Sequence, residues 1–150
     1  MVISKKILDL IFRESTVFGG SVFYGLVLLV TLVLQEHLLF LKLLFGLIFT
    51  FLITILIRVF YFKNRPEKQK YGNFVERIQA SSFPSWHTAR IVYLAIIISY
   101  LFSNNYLTIL LIIIAGLVAY SRIYLKRHDY WDVLGGIVLG IIAFWLSGLI

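Results

Sequence analysis

Three short polar segments interrupt an otherwise strongly apolar chain, and their residue types suit chemistry on a phosphate group. We call these segments the polar islands. They are Arg58-x6-Arg65-Pro66, Pro84-Ser85-Trp86-His87 and Ser121-Arg122-x5-His128-x3-Asp132. Ionisable side chains are costly beside lipid and are retained mainly where they have a function. The islands supply cations for an anion, one histidine to attack and one to donate a proton.

The arginines of the islands are candidate phosphate ligands. A guanidinium stays charged and presents forked donors that match phosphate oxygens, so we expect Arg58, Arg65 and Arg122 to bind phosphate. A single arginine at the end of a membrane span would more commonly snorkel or contact lipid head groups. Ser85 follows a proline where a helix should begin, and the N–H groups of a helix N-terminus also suit an anion.

The two histidines are candidates for the nucleophile and the general acid. His128 and Asp132 have i, i+4 spacing, which makes side chains neighbours on a helix. A carboxylate there orients the imidazole and makes its other nitrogen a nucleophile. Alternatively, Asp132 only caps the helix dipole. We assign His87 as the general acid that protonates the leaving oxygen, and Arg90, one turn further on, is a weaker candidate for the same pocket.

Other site chemistries are disfavoured. The chain has no cysteine, which excludes disulfides and thiolate ligands. We predict neither a metal nor a cofactor, since three arginines would repel a cation. The net charge of +7 would normally suggest nucleic acid. Because the basic residues cluster between apolar stretches, we expect anionic membrane lipids and a phosphorylated lipid substrate as partners, and no nucleic acid.

The islands must be positioned by membrane helices. Of the 150 residues, 61% are hydrophobic and 14% are charged, and the mean hydropathy is +0.94. This composition predicts one all-α domain, residues 1–150, built as a polytopic membrane bundle. A hydrocarbon core of ~30 Å needs about 20 apolar residues per helix. Five spans result, and they are Ser15–Leu34, Leu38–Phe62, Ser85–Phe102, Tyr106–Leu125 and residues 130–150.

Two shorter segments complete the prediction. Residues 3–13 are predicted to form an amphipathic interfacial helix or a solvated end, and charges at Asp9, Arg13 and Glu14 argue against a cleavable signal peptide. Residues 67–83 are polar and are predicted to be a loop, either a lid or a connector.

The spacings Gly136-x3-Gly140 and Ala115-x3-Ala119 predict close helix packing.

Counting the spans places every island on one face of the membrane, as a single active site requires. All Lys and Arg residues except Lys42 lie on or near this face. We therefore predict a multi-pass integral membrane protein of the cell membrane. Positive-inside counting assigns the island face to the cytoplasm.

The three islands, in this order, resemble the signature of the type 2 phosphatidic acid phosphatase superfamily, which is Lys-x6-Arg-Pro, Pro-Ser-Gly-His and Ser-Arg-x5-His-x3-Asp. The resemblance covers residues 58–132. It implies a metal-independent phosphatase in which His128 forms a phosphohistidine, Asp132 orients it and His87 protonates the leaving group. It also implies that Arg58, Arg65, Ser85 and Arg122 hold the phosphoryl oxygens. Bacterial members usually work on the outer face, so sidedness stays open.

Membrane members of this family act on phosphatidic acid, phosphatidylglycerol phosphate, polyprenyl diphosphates or lipid A. The resemblance therefore implies a lipid phosphatase acting on a phosphate mono- or diphosphate ester. The alternatives are a lipid phosphotransferase and a membrane protein that binds lipid phosphates with impaired turnover. Two residues depart from the signature: Arg58 replaces lysine and Trp86 replaces glycine. An indole that points into the pocket would narrow it, whereas one that points away would leave activity unaffected.

Overall fold

Long apolar stretches form most of the helices. The computed structural model describes residues 2–150, with side chains from residue 5 onwards, and this part of the chain contains helices and no strand. The α-helices are α1 (Val2–Ser15), α2 (Ser21–Val33), α3 (His37–Phe60), α4 (Phe74–Ala80), α5 (Trp86–Phe102), α6 (Asn105–Tyr124) and α7 (Tyr130–Ser147), and a 3-10 helix covers Thr16–Gly19. The predicted all-α class is confirmed.

Three of these helices, α3, α6 and α7, are individually long and apolar enough to cross a membrane. A fourth span results if Lys5–Gly19 and Ser21–Val33, which meet at 45°, are taken as one bent element. Helix α5 is apolar but has 17 residues. At ~1.5 Å per residue it is about 26 Å long, slightly shorter than the hydrocarbon core. The predicted count of five is therefore approximate.

The first predicted span, Ser15–Leu34, is wrong as a single helix because the chain bends at Gly19 and Gly20. A Cβ atom on Gly19 would lie 2.9 Å from the carbonyl oxygen of His87. Gly20 has extended backbone and precedes the first residue of α2. This bend brings the N-terminal segment directly against the start of α5.

Helix α1 packs on α6 through aromatic and polar contacts. The Phe12 ring lies 5.2 Å from that of Tyr120 and 4.5 Å from that of Tyr124. The Tyr124 hydroxyl donates to Asp9 at 2.7 Å. The predicted N-terminal helix is thus present, and Asp9 and Phe12 hold it against α6.

Helix α5 forms the centre of the bundle. Ala89, Tyr93 and Leu94 are almost completely buried. The Tyr93 hydroxyl donates to the Lys42 carbonyl at 2.6 Å, and the Tyr24 hydroxyl donates to that of Leu43 at 2.7 Å. Because buried tyrosine hydroxyls need partners, these bonds fix α2 and α5 against α3.

Helix α7 approaches α5 closely at Gly136 and Gly140. A Cβ on Gly136 would lie 2.5 Å from the Ser85 carbonyl oxygen, and one on Gly140 would lie 2.6 Å from that of Ala89. The close packing predicted for this pair is present. Ala115 and Ala119 instead line an open apolar cavity of about 290 Å³ between α5, α6 and α7. The close packing predicted for the alanine pair is therefore not seen.

The segment 67–83, predicted as a loop, contains helix α4. The Asn73 side chain accepts from the Glu76 backbone N–H at 2.8 Å, which is the N-cap bond that starts this helix. The prediction of a loop was wrong here because polar residues obscured a capped, seven-residue helix. The predicted break at Ser103–Asn105 is confirmed, with Asn104 as the N-cap of α6.

Candidate active site

His128 and Asp132 lie at the start of α7, and their side chains meet. His128 is in the loop before the helix, so the predicted helical spacing describes the pair only in part. The His128 Nδ1 atom lies 3.6 Å from Asp132 Oδ2, which is longer than a hydrogen bond. Nδ1 is buried and has no hydrogen-bond partner among the described residues. A small rotation of the imidazole would bring these two atoms within hydrogen-bond distance.

Asp132 also caps α7, which is the second of the two roles considered for it from the sequence, and its orientation of His128 stays a prediction. Asp129 and Asp132 form a reciprocal capping box, in which each side chain accepts the backbone N–H of the other at 2.9–3.0 Å. The Asp132 side chain is fully buried. Its carboxylate is therefore held in place by the helix start that it stabilises.

Lys63 contacts the same carboxylate, and nothing in the sequence pattern pointed to it. Its Nζ atom lies 2.8 Å from Asp132 Oδ1 and 2.6 Å from Asp129 Oδ2. The Ser82 hydroxyl also donates to Asp132 Oδ1, at 3.3 Å. Partial burial of Lys63 lowers its pKa, but its bonds to the two aspartates outweigh this and leave the pKa raised. Lys63 therefore stays charged and keeps Asp132 from turning away.

The loop that carries His128 is tied to the end of α6. The backbone N–H of His128 donates to the carbonyl of Arg122 at 3.1 Å. Burial lowers the pKa of His128, the carboxylate of Asp132 raises it, and the charges of Arg122 and Arg65 lower it. The net effect is a lowered pKa, so the imidazole is neutral at pH 7, as a nucleophile must be.

The second island joins the site through its backbone. Ser85 is the residue before α5, and its N–H donates to the Asp132 carbonyl at 2.8 Å. The Ser85 side chain makes no capping bond, and its Oγ accepts from the Thr88 hydroxyl at 2.9 Å. His87 is half-buried in the first turn of α5. The structure thus brings the second and third islands together.

Arg65 and Arg122 each retain unpaired donors. The Nε atoms of both residues are buried and have no hydrogen-bond partner within the described part of the chain. Arg65 Nη2 donates to the Gln79 carbonyl at 2.7 Å. Burial and the nearby charge of Arg127 lower the pKa of Arg65. Buried donors without acceptors are costly, and a phosphate oxygen would satisfy them.

Arg58 is placed differently from the other arginines. Its Nε, Nη1 and Nη2 atoms donate to the backbone carbonyls of Phe83, Ile78 and Pro84 at 3.0–3.4 Å. The residue is buried at the end of α3. Arg58 therefore clamps the chain that runs from α4 to the start of α5, and a lysine could not form this fork.

Trp86 packs between Phe51 of α3 and Arg90 of its own helix. Its ring lies 4.7 Å from the ring of Phe51, and the Arg90 guanidinium sits 3.8 Å from the indole centroid on α5. Arg90 Nη1 donates to the Ser21 hydroxyl at 2.9 Å. The indole is thus held in a stack of Phe51, Trp86 and Arg90.

The assembled site favours an anion. Among the described residues, Arg58, Arg65, Arg90 and Arg122 have no carboxylate within 4.0 Å, and the only lysine pair at the site is Lys63 with its aspartates. The described side chains also contain no group of three or more His, Asp or Glu residues that would hold a metal ion. Guanidinium groups, an oriented imidazole and a second histidine can together bind and transfer a phosphoryl group.

The chain is similar in sequence to two curated phosphatases. Over 102 residues it is 36% identical to undecaprenyl-diphosphatase BcrC of Bacillus subtilis (strain 168), covering 67% of this chain and 50% of that protein. Over 61 residues it is 38% identical to the lipid A 4'-phosphatase of Porphyromonas gingivalis, covering 41% of this chain and 26% of that protein. The chain thus spans at most half the length of these curated relatives.

The fold is also known from a solved structure. The crystal structure of Aquifex aeolicus LpxE superposes with a TM-score of 0.80 at 23% identity, covering 96% of this chain and 87% of that chain. The profile of the PAP2 superfamily matches residues 39–149, which include all three islands. Together with the long apolar helices, this match makes the protein a multi-pass integral membrane protein. The chain belongs to the PAP2 superfamily.

Proposed function

We propose that this protein is a membrane lipid phosphatase that hydrolyses a phosphate mono- or diphosphate ester of a lipid through a phosphohistidine, without a metal. The observation that carries the proposal is the pairing of His128 with the buried Asp132 beside Arg122 and Arg65. The names of the relatives, an undecaprenyl-diphosphatase and a lipid A 4'-phosphatase, support a lipid phosphate substrate.

In the first step, the ring nitrogen of His128 that faces away from Asp132 attacks phosphorus. An N–P bond forms and the bond from phosphorus to the ester or bridging oxygen breaks. The leaving oxygen takes the electron pair and a proton from His87. Asp132 stabilises the positive charge that develops on the His128 ring, because an anion beside an imidazole favours its charged form.

In the second step, water attacks the phosphorus of the phosphohistidine. His87, now neutral, accepts a proton from this water, and the N–P bond breaks to release inorganic phosphate. Arg65 and Arg122 hold the phosphoryl oxygens through both steps with their unpaired donors. Ser85, the residue before α5, is the further phosphate ligand of this proposal. Arginines of this kind stabilise the charge that builds up in the transition state.

Arg58 has fewer free N–H groups for phosphate, because most of its donors already bond to backbone carbonyls. The three bonds that its nitrogens make to carbonyls leave two N–H groups of the fork for a phosphate oxygen. We therefore assign Arg58 first to positioning the α4–α5 connection, and its direct binding of phosphate stays a prediction.

The deciding experiment measures phosphate release in detergent from phosphatidic acid, phosphatidylglycerol phosphate and a polyprenyl diphosphate. His128→Ala is expected to abolish release, and His37→Ala is the matched control because His37 begins α3 at the opposite end of the bundle. Acid-labile, base-stable phosphate on the wild type after rapid quenching would identify the phosphohistidine. Wild-type rates in His128→Ala would refute the proposal, and loss of activity in EDTA would refute metal independence.

A further inference from the structure

Arg90 is a buried cation that the proposed reaction does not use. The residue is 4% exposed, and among the described residues its side chain makes one hydrogen bond, from Nη1 to the Ser21 hydroxyl. Its Nε atom is buried and has no partner in the described part of the structure. A guanidinium carries five N–H donors, so most of the hydrogen-bonding capacity of Arg90 is unused.

The side chains around Arg90 hold its guanidinium in place but do not neutralise its charge. The indole of Trp86 covers one face of the guanidinium, and the buried Nε1 atom of that indole also lacks a partner. No carboxylate among the described side chains lies within 4.0 Å of Arg90. A buried charge without a counter-ion is strongly unfavourable, so this site is set up to receive an anion.

Arg90 lies close to His87, the residue that would protonate the leaving group. His87 and Arg90 are three residues apart on α5, and such side chains are neighbours on one face of a helix. The N-terminal bend covers the same region, since Gly19 packs against His87 and Ser21 bonds to Arg90. Helix α2 begins at Ser21, and the positive end of its dipole adds to the attraction for an anion.

We propose that Arg90 and the Nε1–H of Trp86 bind the inner phosphate of a lipid diphosphate, which makes the enzyme selective for diphosphates over monophosphates. This inference rests on the proposed function. Arg65 and Arg122 would hold the outer phosphate, next to His128. The inner phosphate then lies on the opposite side of the outer phosphorus, beside His87.

With the two phosphates placed in this way, each bond that forms or breaks in the transfer is accounted for. His128 forms a bond to the outer phosphorus, the bond from that phosphorus to the bridging oxygen breaks, and the electron pair stays on the bridging oxygen. The leaving group is a lipid monophosphate, and His87 gives its proton to it. Arg90 stabilises the charge that the inner phosphate gains during this step, whereas a monophosphate ester has no group at that position.

The test compares two substrates with the same tail, farnesyl diphosphate and farnesyl monophosphate, for the wild type and for Arg90→Gln. We expect the ratio of kcat/KM for the diphosphate to that for the monophosphate to fall about 10- to 100-fold, the effect of losing a charge-assisted contact. Arg122→Gln is the matched control: it should lower both values and leave the ratio nearly unchanged. An unchanged ratio in Arg90→Gln, whatever the absolute rates, overturns the inference.

Two further measurements keep the outcome decisive. If Arg90→Gln does not fold, Arg90→Lys keeps the charge but loses the fork, and its ratio should fall by several-fold; an unchanged ratio there overturns the inference. If the wild type hydrolyses neither farnesyl substrate nor any lipid of the deciding experiment above, the proposed function fails. Binding of the non-hydrolysable farnesyl methylenediphosphonate then decides the role of Arg90, with weaker binding by Arg90→Lys expected and equal binding overturning it.

Discussion

The backbone N–H of Ser85 donates to the carbonyl oxygen of Asp132 at 2.8 Å. This bond joins the first residue before α5 to the first turn of α7, and so joins the second polar island to the third. Gly136, one turn further along α7, lets the two backbones come this close. The convergence of the islands therefore depends on helix packing as well as on the chemistry of their side chains.

A methyl group added at Gly136, where α7 contacts the start of α5, should disrupt the candidate site. Gly136→Ala would place a Cβ atom 2.5 Å from the Ser85 carbonyl oxygen, so α5 and α7 must separate. We expect a loss of about 1–3 kcal/mol of stability, the usual cost of overpacking, together with reduced phosphate release. Thermal unfolding in detergent and the activity assay measure both.

Gly116→Ala is the control for this prediction. A Cβ on Gly116 meets no atom within 4 Å, and alanine is the better helix former. Its melting temperature should stay the same or rise slightly. Equal effects of the two substitutions would contradict the role assigned to the Gly136 contact.

Lys63 should support catalysis through Asp132. Lys63→Met removes the bonds to Asp129 and Asp132 and leaves the buried carboxylate with fewer partners. Since Lys63 is partly exposed, we expect a stability loss of only about 1–2 kcal/mol, with kcat reduced about tenfold and KM less affected. Lys68→Met, an exposed lysine on the same connecting segment, is the control and should behave as the wild type.

The Lys63 contribution to stability also has a definite pH range. Its folded-state pKa is raised, so the stabilisation is fully present below the ordinary lysine pKa of about 10.4 and is lost as pH rises through the folded value. The difference in melting temperature between the wild type and Lys63→Met should therefore be constant from pH 7 to about 9 and shrink above about 10.5. A difference that persists unchanged at higher pH would contradict this.

The pH dependence of phosphohistidine formation should report His128. Its pKa is lowered, chiefly by burial, so the neutral nucleophile persists below the ordinary histidine pKa of about 6.5. Rapid-quench rates should fall on the acidic side only below that pH. Because the Asp132 carboxylate raises the pKa of His128, Asp132→Asn should move the acidic limb to still lower pH while reducing the maximal rate. A shift to higher pH would be inconsistent with this arrangement.

Arg58→Lys restores the residue that the family signature has at this position, yet we expect it to be harmful. A lysine cannot replace the fork that reaches the carbonyls of Phe83, Ile78 and Pro84. The substitution should lower the free energy of unfolding by about 1–3 kcal/mol and reduce phosphate release. Arg13→Lys, at an exposed position of α1, is the control. Wild-type stability in Arg58→Lys would show that the clamp contributes little.

Much of this protein was predictable from sequence because helix formation in an apolar chain is a local property. Long charge-free stretches predicted the helices, and counting them placed the islands at one end of the bundle. The residue types alone also predicted anion chemistry, since guanidinium groups and histidines have few other uses beside lipid. The bend at Gly19 and the short helix α4 escaped prediction because close packing in one case and a side-chain cap in the other determine them.

The partners of each polar side chain were decided only by the tertiary structure. Lys63 meets Asp132 across 69 positions of sequence, and Arg90 meets Ser21 across the same separation. Arg58 turned out to clamp backbone carbonyls, and Trp86 turned towards Phe51 and Arg90. Such contacts depend on how whole helices pack, so spacing within one segment does not encode them. The sequence by itself therefore determined the class of chemistry, whereas packing decided which cations remain available for a substrate.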